Sequence, residues 1–113
     1  MPTRRQRRVN SLLREELSAL LRRRVKDPRL ESLTITAVET SVDLKHAHVY
    51  VSSLGGEKEK REALAGLRSA EGFLRHELGI RLSLRYVPEM AFHIDDSLER
   101  GERIEGLLRG LEE

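Results

Sequence analysis

The sequence predicts a single α+β domain in the order helix, strand, strand, helix pair, strand and C-terminal helix. Three observations carry this prediction. Residues 9–25 place apolar side chains at helical spacing, residues 33–53 contain two β-branched runs that partly alternate, and residues 63–79 return to helical spacing. A chain of 113 residues is long enough for one domain with one modest core.

The first helix has a clear beginning and a clear end in the sequence. Thr3 and Gln6 form a capping box, in which the Thr3 side chain caps the Gln6 amide and Gln6 reaches back. Asp27-Pro28 ends the helix, because the residue before a proline is pushed out of the α region. Between these limits an apolar stripe runs along one face: Val9, Leu12, Leu13, Leu17, Leu20, Leu21 and Val25.

The basic residues are concentrated at the N-terminal end of the chain. Residues 1–30 have a formal charge balance of +7 and residues 31–113 one of −5, which gives the net charge of +2. Arg4, Arg5, Arg7 and Arg8 crowd the first turns of the helix, where the helix dipole disfavours positive charge. Phosphate binding is a reason to place charge there, so the pattern favours contact with nucleic acid.

Two other interpretations of this basic helix stay open. Its arginines could form an ordinary solvated face beside the core, or the helix could lie on an anionic membrane surface. The apolar stripe contains only Leu and Val, without the Trp or Phe that anchors a helix in lipid. Burial of the stripe in a protein core is therefore favoured over a membrane.

A β-hairpin follows. Leu33 to Thr40 is the first strand, the turn lies near Val42-Asp43-Leu44-Lys45, and His46 to Ser53 is the second strand. In the second strand Ala47, Val49 and Val51 face one way, and His46, His48, Tyr50 and Ser52 face the other. The pattern is typical of a half-buried antiparallel pair. His46 and His48 share a face, but no third ligand stands near them, so no metal site is predicted.

The stretch from Ala63 to Gly79 is interpreted as two short helices joined by a sharp kink. Ala70 and Gly72 leave almost no side-chain bulk at one point, and a glycine inside a helix costs about 1 kcal/mol relative to alanine. Gly79 is predicted to end the second helix. The preceding Gly55-Gly56 does not match a phosphate-binding loop. The apolar residues of the pair are Ala63, Leu64, Leu67, Ala70, Leu74 and Leu78.

A last strand and a C-terminal helix complete the predicted domain. Alternation begins after Gly79 with Leu82, Leu84 and Tyr86, breaks at Pro88 and resumes from Met90 to Ile94. Asp95-Asp96-Ser97 offers N-caps for a helical tail over residues 97–113, and capping explains this carboxylate pair better than acid–base chemistry. The tail has an apolar stripe: Leu98, Ile104, Leu107, Leu108 and Leu111.

Several function classes are disfavoured by what the sequence lacks. It has no cysteine, and therefore no disulfide framework, thiolate metal site or thiol nucleophile. No apolar run approaches the roughly 18 residues of a membrane span, and the N-terminus does not have the form of a secretory signal. Nothing assembles a nucleophile, a base and an oxyanion site, so an enzyme is not expected.

The chain resembles the ribosome-binding factor A family, bacterial assembly factors of the small ribosomal subunit, from about Arg7 to Leu108. The order and spacing of several short motifs carry the resemblance. They are Arg22 to Arg29 with Asp27-Pro28-Arg29, Thr36-Ala37-Val38 before Ser41-Val42-Asp43, Ala47-His48-Val49-Tyr50-Val51-Ser52, Ala70-Glu71-Gly72, Arg85-Tyr86-Val87-Pro88 with Phe92, and Asp95-Asp96-Ser97 with Ile104, Leu107 and Leu108.

The resemblance implies a single type II KH domain over residues 1–113, with residues 97–113 as its helical tail. It implies a cytoplasmic protein that binds 16S rRNA and the free or precursor 30S subunit and assists late 16S rRNA processing and maturation, including in the cold. An assembly GTPase would help its release. No cofactor, no metal and no membrane is expected, and the protein is expected to be a monomer.

The predicted mode of RNA contact differs from that of an ordinary KH domain. Such a domain clamps nucleotides with a GxxG loop, whereas Ser69-Ala70-Glu71-Gly72 keeps only the final glycine. Recognition of the rRNA backbone and shape is therefore expected, through phosphate contacts. The residues predicted to make them are Arg4, Arg5, Arg7, Arg8, Arg22, Arg23, Arg24, Lys26, Arg29, Arg61, Arg68, Arg75, Arg81 and Arg85.

A small protein-interaction module that uses the apolar side of the tail helix is the alternative function. The salt dependence of binding distinguishes the two hypotheses. Phosphate binding weakens steeply as ionic strength rises, because bound counterions are released, whereas a hydrophobic contact does not weaken in this way.

Overall fold

The computed structural model describes residues 1–95, which fold as two helices and a three-stranded sheet. The elements are α1 (Arg4–Arg23), a short 3₁₀ helix (Pro28–Leu30), β1 (Thr34–Thr40), β2 (His46–Ser52), α2 (Glu57–Leu82) and β3 (Glu89–Ile94). The predicted α+β class and the order of helices and strands are confirmed. The predicted tail helix over residues 97–113 lies outside the described residues.

The sheet has the order β1-β2-β3, so β2 is central. β1 and β2 form the predicted antiparallel hairpin, with Val38 opposite Val49 and a bulge between Ile35 and Ala37. β3 is parallel to β2 and pairs Phe92 with Val49. A parallel pair needs a crossover connection, which α2 supplies.

Both helices contribute to one core on one face of the sheet. The predicted stripe of α1 is buried at Val9, Leu13, Leu17 and Leu20, and only Leu12 is clearly exposed, at 39%. From α2 the core receives Leu67, Leu74 and Leu78, and from the sheet it receives Ile35, Val38, Ala47, Val49, Val51, Met90 and Phe92. The alternation predicted for β2 is confirmed, because Ala47, Val49 and Val51 are buried and His46 and His48 are exposed.

The predicted pair of short helices is wrong in detail, because α2 is one continuous helix of 26 residues. Gly72 lies inside it, exposed, and an added Cβ there would meet nothing within 4 Å. The apolar positions Leu67, Ala70 and Leu74 continue at helical spacing across this point and reach the same core. Their packing outweighs the roughly 1 kcal/mol helix cost of one glycine, so no break is needed.

Gly79 does not end the helix either, and residues 80–82 are helical rather than extended. α2 runs to Leu82 and stops at Ser83, which has the left-handed conformation (φ 50°). Residues 83–88 form a loop, and β3 begins only at Glu89. Leu84 and Val87 in this loop pack against the core. Of the residues whose alternation suggested a strand, Leu82 and Leu84 contact the core but Tyr86 is 70% exposed, so the alternation does not reflect one buried strand face.

The end of α1 also differs slightly from its prediction. α1 ends at Arg23, with Arg24 as its C-cap. Asp27 instead caps the 3₁₀ helix, where its side chain accepts a hydrogen bond from the Arg29 amide, and Pro28 takes the first position. Proline fits there because its missing N–H has no helical partner to lose. Within residues 1–95 no helix combines the length and apolar character needed to cross a membrane.

Candidate nucleic-acid interface

The first turns of α1 present a compact group of four arginines, which we call the N-terminal basic turn: Arg4, Arg5, Arg7 and Arg8. All four side chains are exposed, and the first turn holds no acidic residue. Within residues 1–95 none of the four forms an ion pair. Four free guanidinium groups at the positive end of a helix dipole make a surface that favours an anion.

Hydrogen bonds with little or no exposure to solvent fix this turn to the sheet. The capping box is present as predicted: the Gln6 amide donates to Thr3 Oγ1 at 3.0 Å, and the Thr3 amide donates to Gln6 Oε1 at 2.8 Å. Gln6 Nε2 also donates to the Thr40 carbonyl at the end of β1, at 2.8 Å. Asn10 Oδ1 accepts from the Thr40 amide at 3.0 Å and from its hydroxyl at 2.7 Å.

The other end of α1 carries a second basic group, the C-terminal basic cluster, formed by Arg22, Arg23, Arg24 and Lys26. All four are exposed. Here positive charge agrees with the helix dipole. Arg24 approaches Glu77 of α2 at 3.8 Å and keeps 53% of its side chain exposed. At 1.5 Å per residue, about 27 Å separates Arg5 from Arg23, so the two groups can reach different parts of one polyanion.

Arg29 lies beside this cluster but is bound to its own neighbour. Its Nη2 donates to Asp27 Oδ2 at 2.7 Å, and its Nε lies 3.1 Å from both oxygens of that carboxylate. The hydrogen bond from Arg29 lowers the pKa of the Asp27 carboxyl below its ordinary value and raises the pKa of Arg29. Arg29 therefore brings no free positive charge to the surface.

Gly66 allows the 3₁₀ helix to lie against α2. A Cβ at Gly66 would stand 3.0 Å from Leu30 Cδ2, and 3.3 Å from both Arg29 Nε and Asp27 Oδ2. Gly66 is buried, in contrast to Gly72. The close approach that only a glycine permits is therefore found at Gly66, six residues before Gly72 in the same helix.

The arginines of α2 and of the loop after it are not equivalent. Arg61 and Arg68 are exposed. Arg75 is half-buried and donates from Nη2 to the Val87 carbonyl at 3.1 Å. Arg81 lies 3.6 Å from Glu77 and 3.8 Å from Glu16. Arg85 lies over the Tyr86 ring, with 5.5 Å to the centroid.

A groove of about 680 Å³ lies between the end of α1, the 3₁₀ helix and β1. Its apolar lining includes Leu21, Val25 and Leu33, which are only partly buried. Arg22 and Lys26 of the C-terminal basic cluster also line it. The groove and the cluster thus form one continuous surface.

The outer face of the sheet brings together histidines that are distant in sequence. His48 Nδ1 lies 2.8 Å from His93 Nε2, so one ring donates a hydrogen bond to the other. Tyr50 stacks on His93 at 5.2 Å between centroids. Among residues 1–95 no three His, Asp, Glu or Cys side chains gather as a metal-binding group.

The sequence interpretation missed three features of this surface: the contacts of Gln6 and Asn10 with Thr40, the role of Gly66, and the pairing of His93 with His48. For Gln6 the sequence did hold a signal, because it lies three positions before Val9 and continues the apolar stripe. In the structure Gln6 is 7% exposed. The other two depend on which elements become neighbours, and no local pattern records that.

The fold and this surface define a class of protein, a small α+β domain whose first helix is suited to a polyanionic partner. A family model described as Ribosome-binding factor A matches residues 5–108. The chain belongs to the ribosome-binding factor A family.

Individual relatives agree with this assignment. Ribosome-binding factor A from Dictyoglomus thermophilum is 56% identical over 110 residues, which cover 96% of this chain and 89% of the relative. The crystal structure of ribosome-binding factor A from Thermus thermophilus is 30% identical, with a TM-score of 0.70, over 79% of this chain and 94% of that chain.

A third comparison concerns a complex. A homology model of the Thermus thermophilus factor, fitted into a cryo-EM map of a 30S–RbfA complex, is 31% identical to this chain. Its TM-score is 0.60, and the match covers 82% of this chain and 93% of that chain. That relative is therefore a protein placed on the 30S subunit.

Proposed function

We propose that this protein binds immature 30S subunits through phosphates of 16S rRNA and assists late 16S rRNA processing and maturation, including in the cold, without catalysing a reaction. Membership of the family and the 30S complex of a relative support the partner. The proposed contact with phosphates rests on one observation of this chain. The four arginines of the N-terminal basic turn are exposed and have no ion-pair partner within residues 1–95.

The proposed contact surface is narrower than the set of basic residues predicted from the sequence. It comprises the N-terminal basic turn, the C-terminal basic cluster, Arg61 and Arg68. Arg29, Arg75 and Arg81 are set aside because their guanidinium groups are already engaged by protein acceptors. Arg24 is kept although it approaches Glu77, because 53% of its side chain is exposed, against 40% for Arg29 and 38% for Arg81. Arg85 is left as a secondary contact beside Tyr86. Release with the help of an assembly GTPase belongs to the same proposal.

Salt titration of 30S binding tests the proposal. We expect the variant with Arg4, Arg5, Arg7 and Arg8 changed to Gln to stay folded, because these side chains are exposed. It should bind immature 30S subunits more weakly, and the slope of log affinity against log salt should fall by about one unit per lost phosphate contact.

A variant with the same four residues changed to Lys is the matched control, since it keeps the charge and should keep the slope. Wild-type affinity and slope in the folded Gln variant would contradict the proposal. Binding that is insensitive to salt in the wild type would favour the protein-interaction module instead.

A further inference from the structure

We propose that Gln6 and Asn10 are positioning residues, which hold the N-terminal basic turn in its RNA-binding geometry by tying it to Thr40 at the end of β1. This inference rests on the proposed function. It adds that the arrangement of the four arginines is set by two neutral side chains, buried Gln6 and half-buried Asn10, that touch no RNA.

The contacts form one connected network. Gln6 uses its side-chain oxygen for the Thr3 amide and its side-chain nitrogen for the Thr40 carbonyl, both at 2.8 Å. Asn10 accepts from two groups of Thr40, at 3.0 Å and 2.7 Å. Gln6 and Thr40 are buried, at 7% and 8% exposure. Hydrogen bonds between buried partners are costly to leave unmade, so the network constrains the turn strongly.

The turn needs such a constraint. The first turn of a helix lacks intrahelical acceptors for its amides and tends to fray. Arg4, Arg7 and Arg8 stand at spacings of three and four, where like charges repel. The helix dipole adds to that repulsion. Without the network, the charges of the turn would favour its opening.

A fixed turn changes the affinity but not the number of phosphate contacts. Ordering a flexible segment on binding lowers affinity, and a segment that is ordered beforehand avoids that cost. The slope of log affinity against log salt counts the phosphates that are neutralised. Loss of the network should therefore weaken binding while the slope stays near its wild-type value. Loss of an arginine should lower both.

The test measures binding of immature 30S subunits at several salt concentrations for Gln6→Leu and Asn10→Ala. We expect each variant to lose about three- to tenfold in affinity with an unchanged slope. Faster hydrogen exchange of the Arg7 amide, which donates to the Thr3 carbonyl at 3.0 Å, should accompany the loss. Ser18→Ala is the matched control, because it removes a side-chain hydrogen bond that stays within α1.

Thr40→Val is the variant to measure if Gln6→Leu does not fold. It removes only the hydrogen bond from the Thr40 hydroxyl to Asn10, and it keeps the contacts of the Thr40 amide and carbonyl with Asn10 and Gln6. Wild-type affinity in folded variants overturns the inference, and so does a fall in the salt slope. If the variants bind normally while the Arg-to-Gln variant does not, only the inference fails. If the Arg-to-Gln variant binds normally, the proposed function fails.

Discussion

Gly66 lacks a side chain at a point where two elements meet. The 3₁₀ helix lies so close to α2 that a Cβ at Gly66 would be 3.0 Å from the buried side chain of Leu30. Gly72, in the same helix, faces open space. The two glycines have the same helical conformation, and only their surroundings distinguish them.

We therefore expect Gly66→Val to lower the free energy of unfolding by about 1–3 kcal/mol, the range for overpacking a filled site. Gly72→Val is the control, and its effect should stay within about 0.5 kcal/mol, as is usual for an exposed position. Urea unfolding midpoints, compared at equal m-values, give both numbers. Equal destabilisation by the two substitutions would contradict the assignment of the close contact to Gly66.

Arg75 shows how one residue can be misassigned from its sequence position. It follows Arg61 and Arg68 at a spacing of seven, and all three were predicted to contact phosphates. The structure places Arg75 half-buried, with its guanidinium on the Val87 carbonyl of the loop over residues 83–88. A seven-residue repeat drifts by about 20° per step on a straight α-helix, so three members do not stay on one line.

At the scale of elements, Arg75 and Glu71 attach α2 to the segment that leads into β3. Glu71 Oε1 accepts from the Met90 amide at 3.3 Å, and Arg75 donates to Val87. These two contacts hold the loop over residues 83–88 and the start of β3 against α2. The helix is thus both a layer of the core and the support of the strand that follows it.

We expect Arg75→Met to destabilise the domain by about 1 kcal/mol, because the Val87 carbonyl loses its donor while the apolar stem is kept. Hydrogen exchange should increase in residues 83–88 before it increases in β2. Arg68→Met removes an exposed arginine from the same helix and should change stability by less than about 0.5 kcal/mol. Equal stability of Arg75→Met and Arg68→Met, with unchanged hydrogen exchange in residues 83–88, would show that Arg75 does not hold this loop against α2.

The elements that sequence reasoning predicted well are those defined by local periodicity. The capping box, the stripe of α1 and the alternation of β2 can each be recognised within a window of a few residues. The elements predicted poorly depend on distant partners. Leu82 and Leu84 resemble a strand because the end of a helix and the loop after it both pack on the core. The continuity of α2 through Gly72 depends on the core that Leu67 and Leu74 reach.

The candidate site divides in the same way. The N-terminal basic turn could be recognised from four arginines placed against the helix dipole. Whether an arginine is free could not be predicted, because the acceptor of Arg75 is twelve residues away and Glu16, which faces Arg81, is on another helix. Charge is a property of the sequence, but the availability of a charge is a property of the fold.

At the scale of the whole molecule, α1 separates two basic groups by about 27 Å, so the RNA contacts proposed for them should be independent. We expect the change of Arg22, Arg23 and Lys26 to Gln to weaken 30S binding, and its loss of binding free energy to add to that of the N-terminal variant within about 0.5 kcal/mol. Salt slopes should add as well. The combined variant could instead bind the 30S subunit as well as the more weakly binding of the two separate variants. That result would mean that only one end of α1 contacts RNA.

The parallel pairing of β3 with β2 has a consequence for how the chain reaches this fold. β1 and β2 are joined by a five-residue turn, so their ladder closes a short loop, whereas 36 residues separate Ser52 from Glu89. Long loops cost more entropy to close and slow the contacts that depend on them. The hairpin can therefore form early with one side of β2 still unsatisfied. We expect that side to be completed only when α2 has formed and returned the chain to the sheet, so that the central strand gains its two neighbours at different stages of folding.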